Sequence, residues 1–221
     1  MGIKDNIEKF RRELQPFGAQ LIAVTKTHPA EKIQEAYDAG QRIFGENRVQ
    51  ELVEKNPQLP ADIEWHLIGH LQRNKVKYIA PFVGLIQSVD SLKLLEEINR
   101  QGEKCGRVIR CLLQVFIAQE DTKFGLDSGE LEILLASDSV ATMKNISIEG
   151  LMGIASLTKN KDQVRNEFHK LKDIFENLKR HPLPANVMMK SLSMGMSSDY
   201  HIALAEGSTM IRVGTAIFGT R

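Results

Sequence analysis

The stretch Leu21-Ile22-Ala23-Val24-Thr25-Lys26-Thr27-His28-Pro29 sets how the rest of the chain is read. Leu21 through Val24 are apolar and partly β-branched, the mark of a short buried strand. A lysine follows, then Thr27-His28-Pro29 breaks the pattern and a helical period begins at Ile33. Lysine is rarely buried without a partner, so one at the carboxyl end of a buried strand has two readings. It can snorkel into water along its own stem. Alternatively, desolvation favours the neutral amine and turns such a lysine into a nucleophile.

Composition bounds the function. The 221 residues suit one large domain or two small ones, and 42% apolar with 26% charged residues are the proportions of an ordinary globule. A net charge of +1 gives no electrostatic case for nucleic acid or an anionic membrane surface. No apolar run reaches membrane-span length. The N-terminus lacks an apolar signal core, and Asn6 stands where myristoylation wants Ser or Thr. Cys105 and Cys111 make neither a disulfide framework nor a metal cluster. The Asn145-Ile146-Ser147 acceptor pattern carries no meaning without a secretory signal. The expectation is a cytoplasmic protein without metal, nucleic-acid or membrane partners.

Outward from the opening strand, near Gln20–Thr25, the chain alternates. A leading helix over residues 3–15 carries Ile3, Ile7, Phe10 and Leu14 on one face. After the strand, Ile33, Ala36 and Tyr37 mark a helix closed by Gly40. Residues Arg42–Phe44 form a second strand stopped by Gly45, and Asn47 is placed to cap the helix of Val49, Leu52 and Val53. Glu64–Ile68 is a third strand, with Asn74 placed to cap a short helix beyond it. Leu85–Val89, Val108–Ile117, Ile146–Leu151, Val187–Leu192 and Thr209–Val213 complete eight strands. Helices lie between them, the clearest on Val164, Phe168, Leu171, Phe175 and Leu178. Eight strand-helix units in this length predict a single-domain (β/α)8 barrel over residues 1–221 with an extra N-terminal helix. No Gly-rich dinucleotide loop follows the first strand, which argues against an open doubly wound sheet.

A barrel of this kind gathers its site where the strands end. The last two strands are followed by Ser193-Met194-Gly195-Met196-Ser197-Ser198-Asp199 and by Gly214-Thr215. Glycines let backbone approach an anion, the hydroxyls donate to it, and phosphate often sits at these two loops of a barrel. Serines also serve as turn formers and caps. A reactive lysine across the mouth from a phosphate cradle suggests a phosphorylated carbonyl held as a Schiff base. Pyridoxal 5′-phosphate and the sugar phosphate of an aldolase both satisfy that description.

Five stretches carry a resemblance that chooses between them. They are Ala23-Val24-Thr25-Lys26, Phe44 to Glu51, Trp65 to Lys75, Leu192 to Asp199 and Arg212 to Gly219. In order and content they resemble the pyridoxal phosphate homeostasis proteins, single-domain relatives of the alanine racemase barrel. The resemblance runs from the first helix to the C-terminus. It implies that Lys26 bears the cofactor as a covalent aldimine and that Ser193, Met194, Gly195 and Ser197, with Gly214 and Thr215, hold its phosphate. It also implies that Arg212 faces the pyridine nitrogen, with Asn47 and His66 beside the ring. The Gln119–Gly125 loop resembles, less closely, a second lysine-bearing loop of the family. Its Lys123 is either solvated or a second amine that accepts the aldehyde during release. The family often has a second lysine two residues after the first; this chain has His28 there.

An arginine stays protonated, so it can donate to the ring nitrogen but cannot share a proton with it. The cofactor is then a poorer electron sink. Racemisation also needs an acid/base group facing the lysine, which the resembling racemases take from a further C-terminal domain, whereas this chain ends at Arg221. His66 has a suitable ordinary pKa, but packing against the cofactor, or being a satisfied strand histidine, is the simpler role for it. The expectation is therefore a monomeric carrier with no catalytic residue. It buffers pyridoxal 5′-phosphate or delivers it to apo-enzymes. The alternative is a pyridoxal-phosphate racemase or lyase of narrow scope.

Overall fold

The computed structural model describes residues 2–119 and 124–219. Along these the chain runs α1 (Ile3–Leu14), β1 (Gln20–Val24), α2 (Ala30–Asp38), β2 (Ile43–Glu46), α3 (Val49–Lys55), β3 (Glu64–Leu67), α4 (Val76–Ile79), β4 (Leu85–Val89), α5 (Leu92–Cys105) and β5 (Ile109–Val115). It continues with α6 (Ser128–Leu135), α7 (Asp138–Thr142), β6 (Ile146–Gly153), α8 (Lys161–Lys179), β7 (Val187–Met196), α9 (Tyr200–Ala205), β8 (Met210–Val213) and α10 (Thr215–Phe218). The eight strands pair in sequence order, and β8 closes on β1 in parallel with Ile22 opposite Arg212. The expected (β/α)8 barrel with its leading helix is what the chain builds.

Strand alternation separates two cores. Ile22, Leu85, Leu112, Met152 and Met210 pack together inside the barrel. Their strand neighbours Ala23, Ile86, Leu113, Leu151 and Ile211 face the helices in the larger core. On the same parity, Glu64, His66, Gln87, Ser193 and Arg212 belong to the interior, because Trp65, Leu67, Ile86, Leu192, Met194 and Val213 face outward. The leading helix buries Ile3, Ile7, Phe10 and Leu14. It is tied to the end of the fold by Asn6 Nδ2 donating to the Ile217 carbonyl at 2.9 Å and by Tyr200 donating to Glu13 at 2.8 Å.

Several local expectations change. Gly45 does not stop β2, which continues through Glu46. Arg48, not Asn47, occupies the cap position of α3 and makes no side-chain cap bond. Asn74 lies within the turn Arg73–Lys75 ahead of α4. β7 extends four residues past Leu192, so Ser193, Met194, Gly195 and Met196 are strand, not loop. The short helix α7 has too little periodicity to be seen in sequence.

Candidate functional site

At the carboxyl end of the barrel a cavity of about 620 Å3 is lined by Lys26, His28, Asn47, Ser197, Ser198, Arg212, Gly214 and Thr215, with Val24, Ile68, Ile154 and Met196 as apolar walls. The polar residues come from the ends of β7, β8, β1 and β2, four consecutive strands of the closed sheet. Lys26 therefore stands beside the Gly214 turn and not across the mouth from it. A Cβ on Gly214 would lie 3.0 Å from the Val24 carbonyl. Lys26 continues the inward parity of Ile22 and Val24, and among the described residues its side chain has no hydrogen bond or ion pair. His28 lies on the same wall, its ring 5.0 Å from that of Phe218.

The segment bearing Lys26 is held from outside the barrel. Glu46 faces the helices and is fully buried. It accepts from Thr25 Oγ1 at 2.6 Å and from Lys55 Nζ at 2.6 Å. Lys55 also donates to the Thr25 carbonyl at 2.9 Å and to Glu51 Oε2 at 3.0 Å, and Glu51 accepts from the Thr27 amide at 2.7 Å. Thr27 has a φ of 64°, a left-handed conformation strained for a β-branched residue. Burial pushes the Glu46 carboxyl above its ordinary range even with Lys55 and Thr25 bonded to it.

Arg212 is buried under the cavity floor. Its Nη1 donates to Ser193 Oγ at 2.6 Å and its Nη2 to the Gly153 carbonyl at 2.8 Å. Burial lowers its pKa to about 10, with the Asp199 carboxylate pulling the other way. It remains a cation at neutral pH.

Not every residue singled out in the sequence reaches the cavity. Lys26, Asn47, Ser197, Arg212, Gly214 and Thr215 line it; Ser193, Met194, Gly195 and His66 do not. The Ser193 hydroxyl is taken up by Arg212 and by Gln87 Oε1 at 2.7 Å. Met194 faces the outer core. Gly195, with φ of +97°, lets α9 pack against β7, since a Cβ there would lie 2.6 Å from the Ala203 Cβ. His66 is fully buried in the barrel, with both ring nitrogens bonded. Lys123 lies outside the described residues. Sequence reading passed over Ser198, Ile68, Ile154, Met196 and the Glu46–Lys55 pair; inward strand parity is the signal that would have found Ile68.

This is the barrel of one protein class: the family model described as "Alanine racemase, N-terminal domain" matches residues 2–221. A pyridoxal phosphate homeostasis protein of Aquifex aeolicus (strain VF5) is 40% identical over 204 residues, covering 92% of this chain and 87% of the relative. Its counterpart in Homo sapiens is 36% identical over 230 residues, covering 99% and 82%. PipY of Synechococcus elongatus PCC7942, solved with PLP bound, superposes with a TM-score of 0.89 at 40% identity, over 98% of this chain and all of the other. An alanine racemase from Streptomyces lavendulae shares the fold alone, with a TM-score of 0.82 at 15% identity over 57% of its length. The chain belongs to the pyridoxal phosphate homeostasis protein family.

Proposed function

We propose that this protein holds pyridoxal 5′-phosphate on Lys26 as a Schiff base and buffers it or delivers it to apo-enzymes, as a cytoplasmic monomer without sustained amino-acid turnover. The observation that carries this reading is the meeting of Lys26, Arg212, Gly214 and Thr215 in one cavity.

The residues fit the group. A volume of about 620 Å3 is in the range of small-molecule sites. Ile68, Ile154 and Val24 give apolar surface for a flat ring. Ser197, Ser198, Gly214 and Thr215 offer hydroxyls and backbone amides to a phosphate. Ser193, although outside the cavity, supports the site by holding Arg212, and Gly195 by seating the β7 end on α9. When bound, the cofactor supplies an aldehyde that takes up an amine with loss of one water. Lys26 provides the amine, and its neutral form is the one that adds.

Arg212 would donate to the ring nitrogen and keep its own proton. A nitrogen so held would stay unprotonated, which would weaken the pull on electrons that racemases and transaminases need. The racemase alternative has one group in its favour, His28 at the cavity wall. It comes from the same short loop as Lys26 and so does not bring an acid/base group from another element. The experiment is an absorption spectrum of the purified protein with added pyridoxal 5′-phosphate. A visible imine band moved by amines and absent in Lys26→Ala supports the reading. A steady racemase or transaminase rate lost in Lys26→Ala would replace carrier with enzyme.

A further inference from the structure

A single file of polar side chains crosses the barrel beneath the cavity. It begins at Arg212 Nη1, which donates to Ser193 Oγ at 2.6 Å. Ser193 donates to Gln87 Oε1 at 2.7 Å. Gln87 Nε2 lies 2.9 Å from His66 Nδ1, and His66 Nε2 lies 3.0 Å from Glu64 Oε1. The file ends in an ionic cluster, with Arg110 bonded to Glu64 at 2.7 Å and to Glu149 at 2.9 Å, and Lys190 paired with Glu149 at 2.9 Å.

Valence fixes the direction of every bond. A guanidinium nitrogen only donates, so Ser193 must accept from it and give its own hydrogen to the Gln87 carbonyl oxygen. The Gln87 amide nitrogen then faces His66 Nδ1, which must accept. The imidazole hydrogen is left on Nε2, where the Glu64 carboxylate takes it. His66, Gln87 and Ser193 are fully buried, so no water can substitute for a missing partner without opening the core. Burial holds His66 below its ordinary pKa, and its bond to Glu64 keeps that carboxyl near 2, so the neutral imidazole and the carboxylate this order requires are the forms present. The one bond order that satisfies all five groups fixes the partner of Arg212 Nη1, and the Gly153 carbonyl takes Nη2.

We infer that Gln87, anchored through His66 on Glu64 and acting through Ser193, is a positioning residue that holds the Arg212 guanidinium against the bound ligand. The inference deepens the proposed function and rests on its placing of Arg212 at the ligand. Gln87 sits on β4, on the far side of the barrel from Arg212, and touches neither the cavity nor Lys26. Its amide accepts from Ser193 on one side and donates to His66 on the other, so it bridges the cation end to the carboxylate end across the barrel. Removing it leaves Ser193 without its acceptor, so Nη1 loses its fixed partner and the guanidinium is held by the Nη2 bond to the Gly153 carbonyl.

Two measurements test this on the intact chain. In the ligand-free protein, the side-chain nitrogen resonance of Arg212, assigned by its loss in Arg212→Met, should show restricted rotation. Gln87→Met and the smaller change Ser193→Ala should each loosen that restriction, although the Gly153 bond remains. Unchanged Arg212 dynamics in both variants would overturn the inference, whatever the ligand. The second measurement is the Kd for pyridoxal 5′-phosphate. Gln87→Met should weaken binding about five- to ten-fold in the native background and less than about two-fold when Arg212 is already Met, because coupled residues are not additive. Equal losses in both backgrounds would mean that Gln87 acts on the fold and not through Arg212, and would also overturn it. Restricted Arg212 without any binding by the unmutated protein would sink the ligand reading and leave the pinning of Arg212 standing.

Discussion

Lys55 Nζ lies 2.9 Å from the carbonyl oxygen of Thr25, so a buried ammonium grips the backbone one residue before Lys26. The same nitrogen pairs with Glu46 and Glu51, and Glu51 holds the amide of the strained Thr27 one residue after it. Lys26 is thus clamped on both sides by a network on the outer face of the barrel, which leaves its side chain free for the inner one.

The clamp predicts a stability cost. Lys55→Met removes the cation from a fully buried carboxylate, a loss of about 3 kcal/mol or more. For a chain of this size that lowers the melting temperature by about 10 °C. Thermal unfolding followed by circular dichroism checks it. A shift under about 3 °C would mean that Glu46 and Thr25 find other partners.

Gly69 places Asn47. A Cβ at residue 69 would lie 2.3 Å from the Asn47 carbonyl and 2.9 Å from its Cα, so Gly69→Ala must push the backbone of a cavity residue. Overpacking of this kind costs about 1–3 kcal/mol. The binding of pyridoxal 5′-phosphate should weaken several-fold. Gly129→Ala in α6, where a Cβ meets nothing nearer than 3.4 Å, is the control and should leave both stability and binding intact. Equal binding by the two variants would remove Asn47 from the account.

Acid should act on the interior through His66. Its pKa is below the ordinary 6.5 in the fold, because burial disfavours the charged ring. Below about pH 6.5 the unfolded chain therefore takes a proton that the folded chain refuses, and stability falls as pH falls. Glu64, held near 2 chiefly by the bond from His66, adds a loss of the same sign between its ordinary 4.5 and about 2. In urea unfolding, the stability advantage of the native protein over His66→Gln should shrink from pH 7 to pH 5. An advantage that grows over that range would show the ring to be charged inside the barrel.

The phosphate should carry much of the affinity. Two charge-assisted hydrogen bonds contribute about 3 kcal/mol, close to a hundred-fold in Kd. Pyridoxal, which keeps the aldehyde and ring, should bind at least about thirty-fold more weakly, and inorganic phosphate should compete with the phosphorylated form only. Comparable affinity for the two aldehydes would empty the proposed cradle of Ser197, Ser198, Gly214 and Thr215.

The barrel was readable in sequence because each strand is an apolar run set off by Gly, Pro or a new helical period. Leu85–Val89 was delimited to the residue. The errors fall where composition and burial disagree. Ser193-Met194-Gly195-Met196 looks like a turn, yet it is strand, because a barrel interior can bury a serine that has Arg212 and Gln87 to bond. Gly45 looks like a stop, yet β2 needs it where Ile22 and Ile68 crowd the inner face. The Glu51–Lys55 pair is visible at helical spacing, but its reach to Glu46 and Thr25 appears only when α3 packs on the barrel. Gln87 gave no signal at all: its role lies in partners far along the chain.

The proposed function requires that Lys26 be the amine that carries the cofactor. The measurement is borohydride reduction of the protein incubated with pyridoxal 5′-phosphate, followed by proteolysis and mass mapping of the modified lysine. The proposed Schiff base predicts one reduced adduct per chain, on Lys26, and none in Lys26→Ala. An adduct distributed over surface lysines, or undiminished in Lys26→Ala, would contradict it.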